Sequence, residues 1–296
     1  MMARPARQHA LVLIRQALRE DRARRDLTSR SLLAPSRRIR TRVIAKQPGV
    51  LAGGPVAVWT FQALDRRLRC RLHQREGAPL VPGTAILTVE GSARAILGAE
   101  RVALNLLGHL SGVATLTAAF VRRVRPFRAQ ILDTRKTLPD LRALQKYAVR
   151  IGGGYSHRAS LEEAILIKTN HLKTLGRGTG GRGQGKDPIV QQAIMRARRK
   201  HPRKFLEVEV TTSAELRAAL AARPDAILLD NCGMAAIRRA VQLRNRLRGR
   251  QPLLEVSGGV TLANVRALAA AGVDCISIGR LTHSAPALDL ALRVDG

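Results

Sequence analysis

The residues best suited to chemistry lie in the middle of the chain, where cationic side chains follow strand-like or glycine-rich runs. They are Arg135, Lys136, His157, Arg158 and Lys168. Arginine presents a planar fork that matches a carboxylate or a phosphate, and lysine adds a mobile point charge. Cations of this kind that converge on one pocket indicate a ligand with several negative charges. A solvated basic surface is the alternative, but these cations follow apolar strands and do not lie along helix surfaces.

The composition restricts what the positive charge can mean. The 296 residues carry a net charge of +31, while aromatic residues make up only 2%. Such a charge favours anionic substrates or nucleic acid. Side chains that stack on bases are scarce, and no zinc-finger spacing occurs. Because many arginines, such as Arg238 and Arg239, fall on predicted helices, we expect most of the charge to lie on solvated faces and to bind no specific nucleic acid. A basic nucleic-acid-binding protein stays the alternative function.

The cysteines and the apolar runs of the sequence indicate the cellular compartment of the protein. The three cysteines, Cys70, Cys232 and Cys275, are widely spaced and form no CxxC pair, which fits a reducing compartment. No run of about 18 uncharged apolar residues occurs, so no membrane span or membrane partner is expected. The N-terminus lacks a clean secretory core. The sequence therefore predicts a cytoplasmic protein.

Two patterns divide the chain. The first third mixes a helix with strand-like runs at 40–46, 68–72 and 85–90, which favours an antiparallel sheet with one covered face. A helical period begins at Glu100, and Ser111-Gly112 is predicted to interrupt or bend this helix and to link two domains. Beyond Arg128, six short apolar runs alternate with helical segments. That alternation predicts parallel βαβ units in an incomplete or open α/β barrel, with the active site at the C-terminal ends of the strands.

The glycine-rich segment 175–188 admits two interpretations. A nucleotide cradle is one, but no strand leads into a GKS or GKT ending, so a P-loop is not expected. A mobile surface loop or lid is the preferred prediction.

The C-terminal ends of the predicted strands carry a second set of polar residues. Glu209 and Asp230 end two of them, and they could form a general acid/base pair, hold ribose hydroxyls, or bind hydrated Mg²⁺ on a diphosphate. The turn Ser257-Gly258-Gly259 is predicted to lie between a strand and a helix that starts at Thr261. Small residues there let backbone N–H groups approach a phosphate, and Gly279 ends the next strand.

These segments together resemble the quinolinate phosphoribosyltransferase family from about Leu11 to Arg293, with the glycine-rich segment as the main gap. The likeness lies in Glu100–Asn105 (ERVALN), His109–Gly112 (HLSG), Leu132–Thr137 (LDTRKT), Tyr147–Gly154 (YAVRIGGG), His157-Arg158, Ile167-Lys168, Glu207–Glu209 (EVE), Leu229–Asn231 (LDN), Ser257–Gly259 (SGG) and Leu281–Ser284 (LTHS). Each fragment alone is common, but the combination is specific.

The resemblance implies a fold and a reaction. The expected fold is an N-terminal α/β sandwich domain over 1–112, completed by the tail at about 286–296, and an incomplete α/β barrel over 113–285. The expected reaction joins quinolinate to phosphoribosyl pyrophosphate and gives nicotinate mononucleotide, pyrophosphate and CO₂, with Mg²⁺, in NAD biosynthesis. The chain is expected to form a homodimer, or a hexamer built from dimers. The molybdenum-operon pyrophosphorylase-like proteins share the fold and some motifs and are the rival within the enzyme class.

The resemblance also implies where quinolinate binds. Arg135, His157, Arg158 and Lys168 are expected around its two carboxylates. Arg101 is expected to reach the active site of the neighbouring subunit. Val102 follows Arg101 where the family usually has threonine, which removes none of these cations.

The remaining implied roles concern the phosphates and the ribose. Lys136 is expected between quinolinate and the phosphates, with Thr137 also binding substrate. Glu209 and Asp230 correspond to the ribose and Mg²⁺ side, the metal being held mainly by substrate phosphates and water. Thr169 stands where the family usually has aspartate, so one carboxylate is missing there. The 5′-phosphate is assigned to Ser257, Gly258, Gly259 and Gly279. The residues expected to act in catalysis are Lys136, Lys168, Glu209 and Asp230.

Overall fold

The computed structural model of the chain describes residues 4–177 and 186–295, so most of the predicted glycine-rich loop lies outside the described residues. The helices are α1 Arg4–Glu20, α2 Leu27–Leu32, α3 Gly54–Leu64, α4 Ala93–Val124, α5 Arg142–Ile151, α6 Thr169–Arg177, α7 Lys186–Lys200, α8 Ser213–Ala222, α9 Met234–Asn245, α10 Val265–Ala270 and α11 Arg280–His283. The strands are β1 Arg38–Ala45, β2 Gly49–Val50, β3 Arg69–Leu72, β4 Pro79–Leu80, β5 Ala85–Ser92, β6 Gln130–Leu132, β7 Ile165–Ile167, β8 Leu206–Val210, β9 Ala226–Asp230, β10 Leu253–Ser257, β11 Cys275–Ser277 and β12 Leu290–Val294.

The contacts divide the chain into two compact units. The first unit comprises the chain up to Ala118, Lys136–Gly154, and the chain from Arg280 onward. The second unit comprises Ala119–Arg135 and Tyr155–Gly279. Both units are discontinuous in sequence. The predicted domain boundaries at 112 and 285 stay a prediction.

The first unit contains a four-stranded sheet in the order β12-β1-β5-β3. Strand β1 alternates buried Thr41, Val43 and Ala45 with exposed Arg40 and Arg42, as expected for an antiparallel sheet with one covered face. The C-terminal strand β12 pairs antiparallel with β1. Residues from the two ends of the sequence therefore share one sheet.

Helix α4 runs without interruption through Ser111 and Gly112, so the predicted interruption there is wrong. Ser111 Oγ donates to the Ala52 carbonyl at 3.1 Å and accepts from the Ala52 amide at 3.1 Å. A Cβ at Gly112 would collide with the Pro286 carbonyl. Ser111 and Gly112 therefore allow other segments to pack closely against an uninterrupted helix.

Helix α4 is also long and apolar enough to cross a membrane by length and composition, although the sequence suggested no such run. In the structure 56% of its apolar window is buried. Leu107, Leu110 and Val113 are fully buried along it. The apolar side chains of α4 therefore build the protein interior.

The second unit contains the six predicted strands, all parallel, in the order β6-β11-β10-β9-β8-β7. The first strand, β6, pairs with the last, β11, as in the closure of a barrel. The sheet stays open between β6 and β7, where Tyr155 forms only an isolated bridge with Leu132. This topology confirms the predicted incomplete α/β barrel. It also brings the C-terminal ends of all six strands to one edge of the sheet.

Candidate active site

The second unit places most of the predicted site residues at the C-terminal edge of its parallel sheet. Glu209 and Asp230 lie on neighbouring strands β8 and β9, and they point to the same face because Glu209 pairs with Leu228, two residues before Asp230. Asp230 in turn pairs with Ser257 of β10. The other residues at this edge are Arg135, Lys168, Gly258, Gly259 and Gly279.

His157 is held at the inner face of the sheet by contacts on several sides. Its backbone amide donates to Oδ1 of the fully buried Asp133 at 2.9 Å, which ties the loop after Tyr155 to the end of β6. The Arg158 amide donates to His157 Nδ1 at 2.8 Å, so Nδ1 is the acceptor nitrogen and Nε2 carries the proton. Nε2 lies 2.9 Å from Glu207 Oε2. Both ring nitrogens are therefore engaged inside the protein.

Glu207 and Glu255 form an acidic pair under this histidine. Glu207 is on β8 and Glu255 on β10, and both are buried. Glu255 Oε1 lies 3.7 Å from His157 Nε2. Burial, followed by the charge of Glu207, raises the pKa of Glu255 to about 8, and His157 opposes the shift. Burial therefore favours the protonated form of Glu255 over the ionised form in the barrel interior.

Arg158 and Arg135 are two guanidinium groups whose positive charges interact. Arg158 Nη1 donates to the Ala164 carbonyl at 2.9 Å, which fixes its direction. Burial lowers the pKa of Arg158, the positive charge of Arg135 lowers it further, and Glu207 opposes both. The Nε of Arg135 is buried and has no hydrogen-bond partner among the described residues. A buried donor without a partner costs about 1–3 kcal/mol, so the Nε of Arg135 is an unsatisfied donor in this part of the protein.

Lys168 directly follows β7, and its side chain is exposed. Its amide donates to Nδ1 of His171 at 2.9 Å, which turns the chain into α6. The next residue, Thr169, donates to Glu209 Oε1 twice, from its amide at 3.1 Å and from Oγ1 at 2.7 Å. Threonine therefore supplies a donor to Glu209 at the position where the family usually has a carboxylate.

The Ser257–Gly259 turn has an unusual backbone. Gly258 has φ +90° and Gly259 has φ +60°, the left-handed region that glycine adopts most easily. The Asn231 amide donates to the Ser257 carbonyl at 2.9 Å, and Asn231 itself has φ 52°. The helix predicted to start at Thr261 begins later, at Val265.

The later start of α10 has a local cause. The Thr261 amide donates to Asn264 Oδ1 at 2.8 Å, and Asn264 Nδ2 donates to the Gly259 carbonyl at 3.0 Å. These bonds form a compact turn in place of the first helical turn. This turn therefore delays the start of α10 to Val265.

The two glycines of this turn should respond differently to alanine. A Cβ at Gly258 would collide with the Asn231 side chain, whereas a Cβ at Gly259 meets nothing within 4 Å. We expect Gly258→Ala to destabilise the protein by about 2–4 kcal/mol, from overpacking added to backbone strain. Gly259→Ala should cost about 1–2 kcal/mol, from strain alone. Urea unfolding of both variants measures the difference, and equal losses would contradict this account.

Three predicted residues belong to the first unit. Arg101 is exposed on α4 and lines a cavity of about 400 Å³ together with Asn105 and residues 287–290. Lys136 is exposed, and its carbonyl accepts from Thr282 Oγ1 at 2.7 Å. Thr137 Oγ1 accepts from Arg142 Nε at 3.0 Å. The roles assigned to these three residues stay predictions.

Some residues that organise the site were not predicted from sequence. They are Asp133, Thr169, Glu207 and Glu255. Glu207 and Glu255 could have been identified as carboxylates inside apolar strand segments, in LEVEV and LLEVS. An ionisable group in a buried strand needs a partner. Thr169 carried no such signal, since its contact depends on how closely α6 approaches β8.

Comparison with known proteins identifies the family of this chain. Residues 26–111 match the family described as "Quinolinate phosphoribosyl transferase, N-terminal domain", and residues 113–293 match its C-terminal domain. A Mycobacterium leprae protein named nicotinate-nucleotide pyrophosphorylase [carboxylating] is 42% identical over 94% of this chain and 95% of its own length. A Nicotiana tabacum protein named quinolinate phosphoribosyltransferase [decarboxylating] 2a, mitochondrial, is 34% identical over 91% of this chain and 77% of its own.

A solved structure supports the same conclusion. The nicotinate-nucleotide pyrophosphorylase from Francisella tularensis superposes with a TM-score of 0.87 at 34% identity. The match covers 97% of this chain and 96% of that one. The two family domains together span nearly all of the described residues. The chain therefore belongs to the quinolinate phosphoribosyl transferase family.

Proposed function

We propose that this protein transfers the phosphoribosyl group of phosphoribosyl pyrophosphate to quinolinate and decarboxylates the product to nicotinate mononucleotide, in NAD biosynthesis. Beyond family membership, one observation carries the proposal. Arg135 and Arg158 lie close enough for their charges to interact, and Arg135 keeps a buried donor without a partner. Two adjacent guanidinium groups suit two adjacent carboxylates on one pyridine ring.

The geometry supports the following division of work. Arg135 and Arg158 bind the quinolinate carboxylates, with Lys168 at the neighbouring strand end, and so hold the ring nitrogen toward the ribose. Glu209 and Asp230 lie on one face of the sheet, where they stabilise the positive charge that develops on the ribose as pyrophosphate leaves. The nitrogen then attacks C1′ as the bond to pyrophosphate breaks, and the resulting cationic ring stabilises the electron pair left on carbon when CO₂ departs. A proton taken up from water then converts this carbon to the C–H of nicotinate mononucleotide.

His157 has a different part from the one implied by the resemblance. Both of its ring nitrogens are engaged, Nδ1 by the Arg158 amide and Nε2 by Glu207. We therefore infer that it positions Arg158 and leaves the carboxylate contacts to the guanidinium groups. The amides of Ser257–Gly259 and Gly279 are proposed for the 5′-phosphate, and Lys136 for the pyrophosphate side.

The residues at the strand ends fit Mg²⁺. Thr169 uses Oε1 of Glu209, and Asn231 donates to Oδ2 of Asp230 at 3.2 Å. Each carboxylate therefore keeps a second oxygen for a hard cation, and Mg²⁺ binds proteins through one or two carboxylates plus substrate phosphates. When bound, the metal would neutralise charge on the leaving pyrophosphate.

The assembly and the compartment are further proposals. Arg101 is exposed on α4, which suits a residue that acts in the site of a neighbouring subunit of a homodimer or of a hexamer. Sedimentation of the protein and mixing of an Arg101→Ala variant with a variant inactive at Asp230 would test this, because subunit exchange should restore activity. A cytoplasmic location fits a metabolic enzyme of this family.

The decisive test is quinolinate-dependent release of pyrophosphate and CO₂ from phosphoribosyl pyrophosphate with Mg²⁺. We expect one CO₂ and one pyrophosphate for each nicotinate mononucleotide. Turnover of another base without CO₂ release would favour the molybdenum-operon relatives. Nicotinate in place of quinolinate provides the control, since it lacks the carboxylate that leaves.

Thr169 should matter through Glu209. We expect Thr169→Val to raise the KM for phosphoribosyl pyrophosphate and to lower kcat by about 10- to 150-fold, because one hydrogen bond to a charged group, worth about 1.5–3 kcal/mol, is lost. Thr169→Ser keeps the hydroxyl and should restore most of the activity. Thr169→Asp should shift the acidic limb of the pH–rate profile, because a second carboxylate would lie beside Glu209. Equal rates for the valine and serine variants would contradict a positioning role.

A further inference from the structure

A second concentration of arginines lies in the first unit, apart from the residues of the proposed active site. It surrounds a cavity of about 530 Å³ between the end of α1, the turn that follows it, and the end of α3. Leu18, Ala63 and Leu64 form its apolar part, and none of its lining residues is acidic. The cationic lining residues are Arg15, Arg19, Arg22, Arg24 and Arg25. We name this the α1 cavity.

The turn that carries three of these arginines is fixed to the protein interior. Ala23 is buried between exposed Arg22 and Arg24, and its carbonyl lies so close to α4 that a Cβ at Gly98 would be 2.6 Å from it. Arg22 has φ 47° and ψ 38°, a conformation that a non-glycine residue adopts at an energetic cost. The Arg25 amide donates to the Arg22 carbonyl at 2.7 Å and holds this conformation. The backbone from which these three side chains extend is therefore held in one conformation.

The charges of the α1 cavity are not neutralised within it. Among the ion pairs of the described residues, none involves these five arginines. The adjoining cavity of about 440 Å³ shares Arg24 and Leu64 with the α1 cavity but is also lined by Asp26 and Asp65, and Asp65 pairs with Arg67 at 3.1 Å. The contrast indicates that general arginine enrichment does not by itself account for the α1 cavity.

We propose that the α1 cavity binds an oligophosphate anion, with three or more linked phosphates. Guanidinium groups bind phosphate oxygens through paired hydrogen bonds, and a chain of phosphates can satisfy several of them at once. The volume lies within the range of small-molecule sites. Such a ligand could be a nucleoside triphosphate, whose base would lie against Leu18 and Leu64, or an inorganic oligophosphate. Binding of an anion in the α1 cavity does not depend on the proposed phosphoribosyl transfer.

Calorimetric titration of the full chain with inorganic tripolyphosphate and with ATP, at about 0.15 M salt and without Mg²⁺, tests the site. The variant Arg22→Gln/Arg24→Gln should bind at least 10-fold more weakly, with one binding site fewer per chain. The control is Arg238→Gln/Arg239→Gln on the exposed face of α9, which changes the net charge equally and leaves any phosphate binding at the active site intact. It should bind within about 2-fold of the unaltered protein. Phosphoribosyl transfer should persist in both variants.

The outcomes separate the possibilities. Tighter binding of ATP than of tripolyphosphate would identify a nucleotide as the ligand, and equal binding would identify the phosphate chain alone. Equal losses in the two double variants, or no binding at this salt concentration, would overturn the proposal, because a diffuse surface field weakens strongly with salt. A single-stranded RNA that binds the unaltered protein more tightly than tripolyphosphate, and fails to bind the cavity variant, would also overturn it. Thermal unfolding of both variants shows whether they are folded.

Discussion

Arg135→Ala is expected to weaken quinolinate binding by about 30-fold to several thousand-fold, equivalent to about 2–5 kcal/mol. Much of this loss arises because one quinolinate carboxylate would stay buried beside Arg158 without its second partner. The Nε of Arg135 is already buried without a partner, so its desolvation is complete before the ligand arrives. Calorimetric titration with quinolinate measures the loss directly, and the KM for quinolinate should rise with it.

Two further variants make this prediction specific. Arg135→Lys keeps the charge but loses the planar fork, so it should fall between the alanine variant and the unaltered protein. Arg128→Ala removes an exposed arginine of the same unit and should leave quinolinate affinity unchanged. Unchanged affinity in Arg135→Ala would show that the guanidinium pair does not hold the carboxylates. An equal loss in Arg128→Ala would assign the effect to the general positive field.

Glu255→Gln is expected to change how the stability of the protein depends on pH. The pKa of Glu255 is raised to about 8 in the folded protein, from a reference value of 4.5. Between these two values the unfolded chain releases a proton that the folded protein keeps. The free energy of unfolding of the unaltered protein should therefore fall as pH rises through this window, by up to about 1.4 kcal/mol for each pH unit.

The glutamine variant removes this titration because its amide imitates the protonated acid. The free energy of unfolding of the variant should vary less between pH 5 and pH 8. The variant should therefore become more stable relative to the unaltered protein as pH rises. Urea unfolding at several pH values measures both curves. Glu162→Gln, at an exposed position, serves as the control and should follow the unaltered protein. Parallel curves for the Glu255 variant and the unaltered protein would show that Glu255 is ionised in the folded state.

The incomplete barrel could be predicted because the sequence pattern that indicates it involves only residues close together in the chain. Short apolar runs such as Leu206–Val210 and Ala226–Asp230 alternate with helical periods, and a parallel sheet buries its strands on both faces. Once the strands are assigned, their C-terminal ends must meet at one edge, which collects Lys168, Glu209 and Asp230. The family motifs then indicated which reaction these residues are expected to serve. Helix starts were predicted less accurately, since α10 begins at Val265 and not at Thr261. The same polar residues can form either a loop turn or the first turn of a helix.

The sequence by itself determined the types of side chain at the strand ends, the order of strands and helices, and the family. The tertiary structure alone decided which of these side chains have partners. The two ring nitrogens of His157 are engaged, burial raises the pKa of Glu255, and Thr169 donates to Glu209. These properties depend on distances between segments far apart in sequence and on exclusion of water. Composition and spacing specify neither these distances nor the exclusion of water. A charged residue can therefore be recognised in the sequence, whereas its protonation state and its partner cannot.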